Sequence, residues 1–128
     1  MALSKVSADR LRDEAYEERM AVAGLRVVQC ETCGVTDAIY NLHHVVYEED
    51  SVLPDKGGQH QTVKRRRECI AYPERFRLLC RNCHRAIEPI IHRLVEIDDM
   101  AACDAILAMG DHTSLLYVAA LTARNKAV

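Results

Sequence analysis

The chain has no tryptophan and a single phenylalanine, which excludes an aromatic-rich interior and leaves Leu, Ile, Val and Ala to fill the core. No run approaches the roughly 20 consecutive apolar residues of a membrane span. The N-terminal residues are charged and lack the apolar stretch of an export signal. These absences predict a cytoplasmic protein with no membrane partner. There is no internal repeat, and no low-complexity tract beyond one short basic run. An excess of cations is missing too: the net charge of -2 argues, taken alone, against a surface built for nucleic acid.

What is present changes that reading. The window 64–85 holds eight basic residues (Lys64, Arg65, Arg66, Arg67, Arg75, Arg77, Arg81, Arg85) against two acidic ones, Glu68 and Glu74, a net +6. The rest of the chain therefore carries -8. Positive charge is gathered in one place, where a phosphodiester would have to lie if chemistry occurs nearby. A length of 128 residues with 49% hydrophobic and 28% charged side chains predicts one domain, near the size at which a metal staple helps a modest core.

Six cysteines without an export signal favour thiolates on a metal over disulfides. Four of them form two Cys-x-x-Cys pairs, Cys30/Cys33 and Cys80/Cys83. Each pair presents two sulfurs at the separation that tetrahedral zinc needs, and a closed four-sulfur shell leaves no position for water. This ion should be structural. A redox dithiol is the rival, weakened by the presence of two pairs and by the absence of an alternating strand-helix pattern around either. Cys69 and Cys103 have no partner at ligand spacing and read as small buried hydrophobes.

Local patterns predict an α+β chain. Residues 8–23 have helical periodicity, with Ser7 as a plausible N-cap and Gly24 as the stop. A short strand is expected over 25–29, leading into the first cysteine pair, whose Gly34 permits a tight turn. A second is expected over 39–46, with His43 and His44 on opposite faces. The stretch 47–68 reads as a long loop carrying the basic run. A strand at 75–79 should deliver Cys80, and a helix should start at Cys83 with Ile87, Ile90, Ile91, Leu94 and Val95 on one face and Pro89 shaping its early turns. Two more helices are expected over 100–109 and 114–124, the last capped by Thr113 or Ser114.

The tandem His43-His44 and the histidine that follows the second cysteine pair, His84, suit a second, open metal site. Hydrolysis needs an ion with free positions and a base that is not itself consumed as a ligand. Adjacent strand residues can divide those tasks, although strand geometry does not say which residue does which.

The order Cys-x-x-Cys, His-His followed by apolar residues, then Leu-Cys-x-x-Cys-His resembles the HNH endonuclease family over about residues 27–91. The resemblance implies a ββα-metal core with a four-cysteine structural zinc on Cys30, Cys33, Cys80 and Cys83, flanked by the N-terminal helix and the C-terminal helices. It implies His43 and His84 as ligands of a catalytic ion, His44 as the general base, and hydrolysis of DNA phosphodiester bonds. Mg2+, Mn2+, Ni2+ or Zn2+ would each suit that second site. Lys64, Arg65, Arg66, Arg67, Arg77, Arg81 and Arg85 would position the DNA backbone.

One position departs from the family pattern. Arg75 stands where an asparagine usually braces the loop and orients the base, and an arginine cannot accept a hydrogen bond from an imidazole N–H. Glu88 and His92, one and about two helical turns after His84, are candidates for a third ligand, Glu88 the better placed. His60 and His112 read as surface residues. The alternative function is a catalytically inactive zinc module that binds nucleic acid or protein. A homodimer through the apolar C-terminal helices is a further expectation, set against their closing the chain's own core.

Overall fold

A computed structural model describes residues 5–48, 51, 61–98 and 100–126. Among these residues it is α+β, with helices α1 (Lys5–Ala23), α2 (Gln61–Ala71), α3 (Arg81–Glu96), α4 (Met100–Ala108) and α5 (Leu115–Lys126). Strands β1 (Tyr40–His44) and β2 (Phe76–Cys80) form one antiparallel pair. The register puts Leu42 opposite Leu78, His43 opposite Arg77 and His44 opposite Phe76.

Because strand side chains alternate, this pair of strands separates two apolar clusters. Leu42, Phe76 and Leu78 pack with Ala15 and Met20 of α1 and Cys69 of α2. On the other side, Leu79 joins Cys83, Ile87, Ile91 and Leu94 of α3 and Val118, Ala119, Ala120 and Ala123 of α5. The buried α3 positions recur every three or four residues, a single stripe. The alanines of α5 let its axis come close to that stripe. The sheet is thus held from both sides, and its two histidines look into different neighbourhoods.

Several local expectations are corrected. The stretch 47–68 is not a loop throughout: residues 61–68 belong to α2. Its Gln, Lys, Arg and Glu are good helix formers, and burial of Cys69 beside Ala15 fixes the helix against α1, while buried Glu68 faces His44 of β1. His60 lies outside the described residues. No strand forms at 25–29, where the chain bends at Arg26 and Val27; pairing to β2 is taken over by Glu31, whose N–H donates to the Leu78 carbonyl at 2.8 Å. Ser7 lies inside α1 rather than at its cap, because the helix is already formed at Lys5.

Helix α3 starts at Arg81, two residues earlier than expected, because Cys80 is the N-cap and its sulfur accepts the Cys83 N–H. The helix continues through Pro89 to Glu96, while Val95 of the expected apolar face is 44% exposed. Gly24 and Gly34 adopt φ of 76° and 78°, the left-handed turns their positions require. Ser114 caps α5 by accepting the Tyr117 N–H at 3.0 Å. No helix among the described residues is long and apolar enough to cross a membrane.

Candidate functional site

Among the described residues, two groups of side chains bring three or more potential metal ligands within 4.8 Å of one another. The first is Cys30, Cys33, Cys80 and Cys83. Turns at both pairs point backbone N–H groups at sulfur: Cys33 donates to Cys30 Sγ at 3.5 Å and Cys83 to Cys80 Sγ at 3.4 Å. Across the pairs, Cys33 Sγ lies 3.7 Å from Cys80 Sγ. Four sulfurs around one zinc at about 2.3 Å would be separated by about 3.8 Å, so the cluster fits a tetrahedral thiolate site.

Electrostatics agree with the geometry. Burial pushes the Cys30 thiol up, but backbone N–H groups of Cys33, Cys80 and Thr32 outweigh it and bring the thiol down to about 7. Cys83 moves the other way, raised by burial and by the three neighbouring sulfurs. Four thiols packed together resist becoming four thiolates unless a cation relieves the repulsion. Cys69 and Cys103, by contrast, are fully buried and belong to neither group of potential metal ligands, as their isolation in the sequence predicts.

Glu31, between Cys30 and Cys33, ties the first knuckle to the rest of the fold. Arg19 of α1 forks onto both of its carboxylate oxygens at 2.8 Å and also donates to the Pro73 carbonyl at 3.0 Å. The Leu78 N–H donates to the same carboxylate. A buried ion pair needs such full hydrogen bonding to offset its desolvation.

The second group is His43, His84 and Glu88. Strand β1 supplies His43, and the first turn of α3 supplies His84, with ring centroids 5.6 Å apart. One helical turn on, Glu88 Oε1 lies 3.7 Å from His84 Nε2. The carboxylate is 48% exposed and His43 only 5%, so the cluster runs from the core to the surface. Two imidazoles and a carboxylate suit several divalent ions. His92 is exposed and stays outside the cluster. The shared cleft measures ≈190 Å³ and is lined by His43, His44, Tyr47, Arg65, Glu88 and Lys126 among others.

The hydrogen bonds of the two adjacent histidines fix their tautomers. Thr122 of α5 spends its hydroxyl proton on the Val118 carbonyl at 2.8 Å. Its oxygen must therefore accept from His43 Nε2–H at 3.0 Å, which leaves the His43 lone pair on Nδ1. On the opposite face, His44 Nε2 lies 3.0 Å from Glu68 Oε1. A carboxylate only accepts, so His44 also carries its proton on Nε2 and keeps a lone pair on Nδ1. Burial, with the nearby cationic groups, lowers the pKa of His43 to about 3. Burial lowers that of His44 as well, against the pull of Glu68. Both rings are neutral at pH 7, the form in which an imidazole binds metal or accepts a proton.

The basic residues of the 64–85 window have different surroundings. Arg65 lines the cleft, and its Nε is buried with no hydrogen-bond partner among the described residues. Arg66 donates to the Ala8 carbonyl at 3.1 Å and lines a second groove that shares Leu42, Arg65 and His84 with the first. Arg77 is partly buried, 3.9 Å from Glu31. Lys64, Arg67, Arg81 and Arg85 are exposed. Arg75 lies 3.4 Å from Glu68 Oε2 and over the Tyr72 ring at 3.8 Å.

Glu68, Thr122 and Lys126 were not among the residues singled out by spacing. Thr122 and Lys126 carry no sequence signal. Glu68 has a faint one, as one of two carboxylates inside a strongly basic window. No family model, curated protein or solved structure matches the chain.

Proposed function

We propose that the chain is a metal-dependent endonuclease of the HNH type, with β1, β2 and α3 as a ββα-metal core and a structural zinc on Cys30, Cys33, Cys80 and Cys83. The observation that supports this reading best is the meeting of His43, His84 and Glu88 in a cleft that also contains His44 and Arg65. His43, His84 and Glu88 would hold a divalent cation, which would neutralise charge developing on the phosphate and the departing oxygen. His44, neutral and with its free lone pair on Nδ1, takes the proton from the attacking water. Arg65, with Lys126 across the cleft, binds the phosphate oxygens and turns the backbone toward that water. The buried Arg65 Nε, without a hydrogen-bond partner among the described residues, is the donor that such a ligand would satisfy.

The test is nicking of supercoiled plasmid across Mg2+, Mn2+, Ni2+ and Zn2+, with zinc content measured alongside. The wild type should nick with at least one metal, and both His44→Ala and His84→Ala should fall by a hundredfold or more while keeping about one zinc per chain. Arg75 at the usual asparagine position supports a second reading, a catalytically inactive zinc module. Metal-independent DNA binding with no cleavage by any metal would select it.

A further inference from the structure

The family's asparagine does two things at position 75, bracing the loop and orienting the base, and here Arg75 cannot do the second directly. Both jobs are nonetheless filled. The Arg75 main-chain carbonyl accepts the N–H groups of Val45 and Val46, at 2.8 and 3.3 Å, which braces the chain immediately after His44. Orientation falls to a side chain on another element. Glu68 of α2 is buried, with one oxygen 3.0 Å from His44 Nε2. Its other oxygen takes Ser51 Oγ–H at 3.1 Å and Arg75 Nη1 at 3.4 Å.

Resting on the nuclease reading, we infer that Glu68 is the positioning residue for the base His44, and that Arg75 acts one step back, anchoring Glu68 rather than touching the imidazole. The chemistry is a division of oxygens. Ser51 and Arg75 offer protons to Oε2, so that position must be an acceptor. Oε1 is then left to face His44, and it holds the ring as the Nε2–H tautomer. Ring packing sets the plane: Phe76 lies 4.2 Å from the His44 centroid on one contact and Tyr47 stacks at 4.7 Å on another. Tautomer and plane together aim Nδ1, the atom that must take the proton. The arginine that departs from the family pattern thus belongs to a substitute device rather than to a broken site.

A same-shape substitution gives the sharpest test. In Glu68→Gln the amide must place its oxygen toward Ser51 and Arg75, which turns its NH2 toward His44. His44 should then switch to the Nδ1–H tautomer and lose the lone pair that does the work. Long-range 15N–1H NMR on the zinc-loaded full chain should show His44 as Nε2–H in the wild type and Nδ1–H in Glu68→Gln. Plasmid nicking should lose about 10–100-fold in kcat with KM little changed. In Glu68→Ala the tautomers should mix, and this variant carries the test if Glu68→Gln does not fold. A His44 ring that keeps Nε2–H in the variant overturns the inference, as does a tautomer switch with undiminished kcat. If the tautomer responds but the wild type nicks with no metal, the pairing stands and the nuclease reading is what fails.

Discussion

The four-cysteine clamp and the histidine cleft meet in the first turn of α3, where Cys83 and His84 are neighbours, yet they are built on different principles. The clamp is local: each half comes from one turn, and the turn's own N–H groups point at its sulfurs. The cleft is assembled from β1, α2, α3 and α5, and its imidazoles are set by partners that are distant in the chain. A site of the first kind can stabilise the fold on its own, whereas a site of the second kind depends on the fold being finished.

That contrast predicts a hierarchy of damage. Cys80→Ser, or stripping zinc with a chelator, should have the largest effect. Apparent binding free energies of structural zinc, about 10–16 kcal/mol in small domains, match or exceed a domain's total stability of about 5–15 kcal/mol. Cooperative thermal unfolding followed by circular dichroism should disappear. Retention of a sharp transition without zinc would show that the apolar clusters suffice and would erase the contrast.

A smaller effect belongs to the cleft. Thr122→Val keeps the shape but leaves His43 Nε2–H buried without its acceptor, a loss of about 1–3 kcal/mol in urea unfolding. If His43, His84 and Glu88 hold a cation as proposed, its affinity should fall about 10–100-fold by calorimetry, with metal in the clamp unaffected. Equal weakening of both ions would mean that the two sites are not independent.

The effect that is smallest at neutral pH compares thiols in the clamp with the buried thiol of Cys69. Burial raises Cys69 from 9.0 to about 12, so the folded chain holds this proton more tightly than the unfolded chain does. The resulting stability is complete below pH 9 and is lost as the pH climbs toward 12. Cys69→Ala should therefore flatten the alkaline decline in unfolding free energy between those limits. An unchanged slope would place the titrating thiols elsewhere.

How much of this was legible in the sequence follows from the same distinction. The clamp, the strands that bear His43 and Cys80, and the stripe on α3 are specified by spacing over a few residues, and spacing is what a sequence displays. Helix α2 was hidden because its first turns are cationic and its burial rests on two residues, Glu68 and Cys69, with no apolar stripe to announce it. The segment 25–29 has the composition of a strand, but the fold pairs β2 with a single residue of the knuckle instead. Glu68 and Thr122 escaped notice because nothing local distinguishes a carboxylate that will orient an imidazole from one that will meet solvent. The basic window was visible as charge. Its separate duties were not, since which arginine faces α1, Glu31, Glu68 or the cleft is decided by packing.

Helix α5 reaches back across 79 residues to hold the His43 ring and across 80 to donate from Asn125 to the Val45 carbonyl. During synthesis, then, the imidazole pair emerges long before the element that locks it. A partly made chain could already capture zinc through its cysteines while the cleft histidines are still unfixed. Docking of that late helix would act as an assembly checkpoint, withholding the finished histidine cleft until the polypeptide behind it is made.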